Sequence, residues 1–364
     1  MAEEKNSILK FNQFDLELHY WAFDIDDNLF HMPTLIHMEK RTGDEWSPVS
    51  VSTAEFAIVR NDKENYRLLP GNLSFSEFRD NGPRGNRAFI EDMKLAIKNG
   101  DLGPSWSAFK RCLSEGSLFA LITARGNEPQ TYRGAVEWII DNFLNEEERF
   151  LMYSNCLKHA HFFSYGKEFD RIPKGQLSKT ELIKSYLDKC DFYGVSSESF
   201  AKEFGASSAA NPEYAKELAL DKFIEKCNNF GRQVGAKSVS IGFSDDDPKN
   251  VEHVRKYFKE KSALSNELGR HQVKLNLYKT TDRTLKGGER TKFIGGEELS
   301  ESSHQAWGLE GSIVPFSKWT SNSEWLNTNK GDVPTDHSNA IKNQTGLAGD
   351  LHKKFAYKKK EKVK

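Results

Sequence analysis

A doubly wound α/β fold with a parallel sheet is what this 364-residue sequence predicts, and three observations carry that prediction. Apolar runs with the character of strands covered on both faces end at Phe23 and span Leu118-Phe119-Ala120-Leu121-Ile122 and Ser238-Val239-Ser240-Ile241-Gly242-Phe243. Segments of helical apolar spacing lie between them, and such a β-α-β rhythm builds parallel sheets. Each run also exits into a polar cluster, and open α/β folds place their sites at the C-terminal ends of their strands.

The first strand, residues 17 to 24, runs into Asp24-Ile25-Asp26-Asp27-Asn28. Asp24, Asp26 and Asp27 repel one another, an arrangement that destabilises the turn unless a cation or a reaction uses it. From 31 to 105 the sequence is irregular. Val49, Val51 and the run Phe56-Ala57-Ile58-Val59 suggest a small strand or two, and Pro70-Gly71 and Asn81-Gly82-Pro83-Arg84-Gly85-Asn86-Arg87 break the stretch with turns. We read 31–105 as an insertion over the sheet.

Phe89 to Ile97 and Trp106 to Leu113 have helical spacing, with Gly116 as a stop. The second strand ends in Thr123-Ala124-Arg125-Gly126. An amphipathic helix follows through Val136, Ile139, Ile140 and Phe143, and Phe150-Leu151-Met152-Tyr153 reads as a further strand. Residues 156 to 210 are less regular, with one helix from Ser178 to about Lys189 and a serine-rich stretch after it. Asn211-Pro212-Glu213 opens a helix by the cap-then-proline rule. The third strand exits into Ser244-Asp245-Asp246-Asp247-Pro248-Lys249-Asn250, and a helix from Val251 to Phe258 and a strand from Val273 to Tyr278 complete the unit. Residues 286–364, rich in Gly, Ser, Thr, Asn and Lys, are expected to be a largely flexible extension.

Composition limits the partners. Lysine and arginine (52) nearly balance aspartate and glutamate (53), so nucleic acid or a membrane surface would have to be met by a local patch. No run approaches the roughly 18 apolar residues of a membrane span. The start MAEEKNSILK lacks the apolar core of a signal peptide, so a cytoplasmic location without membrane association is expected. Cys112, Cys156, Cys190 and Cys227 form no CxxC pair and read as reduced structural thiols.

Parallel strands bring Asp24, Asp26, Thr123, Asp245 and Asp246 to one side of the sheet. Carboxylates from two loops are the oxygen ligands magnesium prefers, usually alongside water and a substrate phosphate. This pattern resembles the haloacid dehalogenase-like (HAD) superfamily of phosphatases and phosphotransferases over roughly residues 17 to 280. Its first motif, Asp-x-Asp after an apolar strand, is matched by Asp24-Ile25-Asp26. The second, a strand ending in Thr or Ser, is matched by Thr123, and the fourth, paired acids, by Asp245 and Asp246.

The resemblance implies a Rossmann-like core over 1–30 and 106–285, with 31–105 as an inserted cap. It implies Asp24 as the nucleophile that becomes an aspartyl-phosphate, Asp26 as general acid and base, and Thr123 as a phosphoryl-oxygen donor. Mg2+ would be held by Asp24, the main-chain carbonyl of Asp26 and Asp245, with Asp246 as a further ligand or as the orienter of its waters. The dehalogenase branch lacks an acid at the position of Asp26, so phosphomonoester hydrolysis of a phosphorylated small molecule or nucleotide is the expected chemistry. Asn28 departs from the Thr or Val usual in the family.

The family's third motif is a lysine that spacing alone does not identify. Lys216 lies in the first turn of the helix before the third strand, on the stripe of Leu220, Phe223, Ile224 and Cys227, whereas Lys222 neighbours Glu225 and Lys226. Lys179, on the apolar stripe of Leu182, Ile183 and Tyr186, is the rival. Arg125 suits a substrate phosphate or a nucleic-acid end, or an exposed ion pair. Arg84 and Arg87 suit either substrate selection or a solvated turn. His159 and His161 would share a face if their segment were a strand, without a third metal ligand nearby in sequence.

Two features favour other functions. Lys353-Lys354-Phe355-Ala356-Tyr357-Lys358-Lys359-Lys360 mixes cations with aromatics, which suits nucleic acid and hence a nucleic-acid-end phosphatase, although such tails are commonly solvated ends. Trp307, Trp319 and Trp325 place large apolar groups in a polar stretch, so that residues 307–326 would dock a protein partner if the fold served as a non-catalytic assembly module.

Overall fold

The computed structural model describes residues 17–162 except 86, then 179–205, 211–233, 238–264, 272–280, 289–294 and 297–301. Its central sheet is built from β1 (Glu17–Phe23), β5 (Phe119–Thr123), β6 (Asp191–Gly194), β7 (Ser238–Asp245), β8 (Gln272–Lys279), β9 (Glu289–Ile294) and β10 (Glu297–Glu301). They are ordered β10-β9-β8-β7-β1-β5-β6. The five strands from β8 to β6 run parallel, and β9 and β10 are added antiparallel at one side. The strand that comes first in sequence therefore lies in the interior, between β7 and β5.

Burial on both faces explains why these runs are continuously apolar. Leu18, Tyr20, Trp21, Ala22 and Phe23 of β1 are all buried, as is every residue of β5. Trp21 stacks on Phe23 with ring centroids 5.4 Å apart, and Phe23 meets Phe109 edge to face at 5.4 Å. Trp21 pairs in register with Gly242 of β7, where a Cβ would come within 2.5 Å of the indole ring. Glycine there lets the widest side chain lie flat across the neighbouring strand.

The helices flanking the sheet are α3 (Trp106–Glu115), α4 (Pro129–Asn142), α5 (Glu146–Phe162), α6 (Lys179–Leu187), α7 (Glu198–Phe204), α8 (Pro212–Gln233) and α9 (Pro248–Leu264). Gly116 ends α3 in the left-handed conformation at φ 64°, as its place in the sequence implies. Among the described residues no helix is long and apolar enough to cross a membrane. All four cysteines are buried and unlinked.

The insertion has two parts. Its first half is a small antiparallel sheet of β2 (Ile36–Thr42), β3 (Glu45–Val51) and β4 (Tyr66–Leu68), with the helix α1 (Thr53–Val59). This half packs around its own cluster of Ile36, Met38, Val51 and Phe78. The second half carries α2 (Ala88–Asn99), whose Phe89, Met93 and Ala96 enter the main core.

Several expectations are corrected. Phe56 to Val59 is helical, because Ser52 and Glu55 form a capping box that starts α1. Phe150 to Tyr153, read as a strand, belongs to α5, where Leu151 and Met152 supply the buried side of a helix. His159 and His161 also lie on α5; positions two apart on a helix are separated by about 200°, so they share no face. Strand β6 was missed because its four residues are too short to show a period. Beyond 285, where a largely flexible extension is expected, β9 and β10 continue the sheet. The segments 302–364 and 163–178, with Trp307, Trp319, Trp325 and the lysine-rich tail, lie outside the described residues.

Candidate active site

Parallel register aligns the exits of β1, β5 and β7. Phe23 is opposite both Leu121 and Ser244, so Asp24 and Asp245 emerge side by side. The Asp24 N–H donates to the Ser244 carbonyl at 2.9 Å, extending the ladder by one residue. Lys216, in the first turns of α8, is only 2% exposed. Its Nζ lies 2.9 Å from Asp24 Oδ1 and 2.7 Å from Asp245 Oδ2. The helical phase that pointed Lys216 inward thus delivers it between two carboxylates. Lys222 is on the wet side, paired with Glu203. Lys179 begins α6, and its side chain is outside the described residues.

Asp24, Asp245 and Asp246 each offer an oxygen within 4.8 Å of the others'. One lysine cannot neutralise three carboxylates. Burial pushes Asp24 up to about 8, against the pull of Lys216, with Asp245 and Asp26 adding to the rise. Burial and then Asp245 hold Asp246 well above the usual carboxylate range. On Lys216 burial works downward, but Asp24 and Asp245 outweigh it and hold the ammonium above its ordinary value. Such a cluster, short of positive charge and built from hard oxygens, suits a divalent cation.

The two central acids differ in their partners. Asp245 accepts from Asn250 Nδ2 at 3.0 and 3.1 Å, from the Asp247 N–H at 2.9 Å and from Lys216. The Asp24 carboxylate meets only Lys216 among the described side chains. Asp245 is therefore fixed, and Asp24 retains oxygen lone pairs for another partner.

Asp26 is not part of that triad; its carboxylate turns toward Arg125. Arg125 Nε and Nη2 each donate to one Asp26 oxygen at 2.7 Å, and Nη2 also reaches Thr34 Oγ1 at 2.9 Å. Thr34 donates to Asp92 at 2.6 Å, and Asp92 in turn receives both terminal nitrogens of Arg84, at 2.7 and 2.6 Å. The Arg125 guanidinium lies 4.4 Å from the Phe78 ring centre and is 2% exposed as a residue. The ion pair expected of Arg125 is present, but it is buried rather than exposed and its partner is Asp26. Arg84 is bound to Asp92 and Glu77, while no contact of Arg87 with the site is seen among the described residues. Thr123 is buried at the exit of β5, where its Oγ1 accepts from the Arg125 N–H at 3.3 Å.

Asn28, the departure noted in sequence, closes the turn. Its Nδ2 donates to the Asp24 carbonyl at 2.9 Å and to the Ser244 carbonyl and hydroxyl at 3.1 and 3.0 Å. Its Oδ1 accepts from Ser105 at 2.7 Å and Thr280 at 2.9 Å. Asp27, with φ at 54°, points away to His31 at 2.7 Å and to Thr53 of α1 at 2.6 Å. Arg60, at the end of α1, reaches Asp247 at 2.8 Å. Sequence reasoning did not find Thr34, Asp92, Thr53 or Arg60 as neighbours of the site. Nothing local marks them, because each meets a partner far along the chain.

The fold and site define a class: an α/β protein with a carboxylate cluster, buried at Asp24 and Asp245, and one lysine at the C-terminal ends of adjacent parallel strands. No protein-family model matches the chain, and neither does any curated protein or any solved structure.

Proposed function

We propose that this site hydrolyses phosphate monoesters of a small molecule or nucleotide, with Asp24 as nucleophile and Mg2+ as its metal. The observation that carries the reading is the Lys216 ammonium held between Asp24 and Asp245 beside Asp246. Asp24, Asp245 and Asp246 would hold the ion, with the Asp26 carbonyl as a further ligand. When bound, the ion supplies positive charge against the carboxylates and the phosphoryl oxygens.

A free Asp24 oxygen forms the bond to phosphorus while the ester P–O bond breaks. Lys216 offsets the negative charge on Asp24 and on the phosphoryl group, and the Thr123 hydroxyl serves as a donor to a phosphoryl oxygen. Asp26, once one of its oxygens has left Arg125 and taken up a proton from solvent, delivers that proton to the leaving oxygen, then takes one from the water that breaks the aspartyl-phosphate. Both Asp26 oxygens are engaged by Arg125, so one must turn from the guanidinium to the substrate. Arg125 thereby sets where Asp26 starts.

The test is phosphate release from a broad panel of monoesters, with Mg2+ and with a chelator. Wild-type protein is expected to turn over at least one ester only with the metal, and Asp24→Asn to lose roughly 1,000-fold or more of that rate, since the covalent step is gone. Wild type without metal-dependent release across the panel, and no different from Asp24→Asn, would sink the reading.

A further inference from the structure

Three consecutive residues of the insertion are laid against the loop that follows Thr123. The Gly126 N–H donates to the Phe78 carbonyl at 2.9 Å, and the Phe78 ring lies under the Arg125 guanidinium. Asp80 accepts from Asn127 Nδ2 at 2.9 Å, from the Glu128 N–H at 2.7 Å and from Thr131 at 2.9 Å. Between them, Arg79 folds over Gly126. A Cβ on that glycine would stand 3.1 Å from Arg79 Cγ, 3.2 Å from its guanidinium carbon and 3.0 Å from the Ser196 carbonyl.

Arg79 is thus held by its neighbours on both sides and seated where the loop has no side chain. Its guanidinium nevertheless makes no hydrogen bond or ion pair among the described residues. The nearby ionic groups do have partners: Arg125 has Asp26, Arg84 has Asp92, and Asp80 has the start of α4. Ordering a long cationic side chain without giving it an acceptor gains nothing for the fold. It does prepare a fork of donors for an oxyanion.

We propose that Arg79 receives a second oxyanion on the substrate, so that the ester taken here carries a carboxylate or another phosphate besides the phosphoryl group that is cleaved. This rests on the phosphate-ester reading of the Asp24 site. The placement fits, because Gly126 and Ser196 follow β5 and β6 at the same ends of the sheet as Asp24. A substrate spanning the two would have its phosphoryl group at Asp24 and its other charge over the β5 and β6 exits. The carboxylate triad repels such a molecule, so an extra cation is what an anionic leaving group requires.

Calorimetric titration of the magnesium-loaded protein with three non-hydrolysable ligands tests this directly. Methylphosphonate carries one oxyanion group, whereas phosphonoacetate and methylenediphosphonate add a carboxylate or a second phosphonate. Wild type is expected to bind at least one of the latter roughly 10- to 100-fold more tightly than methylphosphonate, the span of a charge-assisted hydrogen bond. Which of the two gains more identifies the second group. Arg79→Gln should lose that excess and Arg79→Lys should keep part of it, with unfolding curves showing both variants folded. Equal binding of all three by wild type, or an excess that survives in Arg79→Gln, overturns the assignment while leaving the phosphate-ester reading intact. Binding of none of the three overturns both.

Discussion

A fully buried amide at position 28 ties together the exits of β1 and β7, the start of α3 and the end of β8. Replacing it with alanine strands several buried donors and acceptors at once, and a satisfied network of this kind is worth more than one bond. Asn28→Ala is expected to lower stability by about 3 kcal/mol in urea unfolding. Arg125→Met should lower it by about 3–5 kcal/mol, the range for breaking a buried ion pair from one side. Its kinetic signature is more specific. If the site hydrolyses phosphate monoesters as proposed, then with Asp26 no longer held, esters with poor leaving groups should slow far more than nitrophenyl phosphate, whose leaving group needs little protonation. Equal slowing of both would show that Arg125 only supports the fold. At this scale the sequence pointed to Asp24, Lys216, Asp245 and Asp246, which the structure brings together, because strand exits and helical phase are local properties. The partners of Asn28 and Arg125 were hidden, since hydrogen bonds across 77, 99 or 252 positions leave no periodic trace.

The elements were legible wherever a period had room to repeat. β1, β5, β7, β8, α8 and the Gly116 stop all stand where the apolar pattern put them. Short segments failed for a common reason: over four residues, a buried strand and one turn of a buried helix present the same apolar run, as at Phe56 to Val59 and Phe150 to Tyr153. The pairing of Trp21 with Gly242 gives an element-level prediction. Gly242→Ala pushes a methyl group into the indole and should separate β1 from β7, with a loss of about 1–3 kcal/mol for overpacking. Intrinsic tryptophan fluorescence and urea unfolding measure it, and a wild-type stability would contradict the packing described. Ser52→Ala acts on a different element. Removing the cap of α1 should cost about 1 kcal/mol locally and speed amide exchange in α1 without changing exchange in β1.

Across the whole molecule the carboxylate cluster couples stability to pH and, if it holds the proposed ion, to metal. An acid whose folded pKa is raised binds more protons folded than unfolded between its two values, so stability falls as pH rises through that window. For Asp24 the window runs from 3.8 to about 8, and Asp246 shifts in the same direction. Metal-free protein is therefore expected to lose stability from about pH 4 to about pH 8, at up to about 1.4 kcal/mol per pH unit for each proton involved. A divalent cation competes with those protons, so its stabilising effect should be larger at about pH 8 than at about pH 5. Thermal unfolding with magnesium or chelator at the two pH values reads the difference, and a metal effect independent of pH would count against a shared site. The central position of β1 has a further consequence. Synthesis delivers Asp24 early, but its flanking strand β7 and the acids after it come late, so the repulsion and the site arise together only once the sheet is nearly assembled. Fragments ending before residue 238 would expose β1, apolar on both faces, along an unpaired flank, and should aggregate rather than retain partial activity.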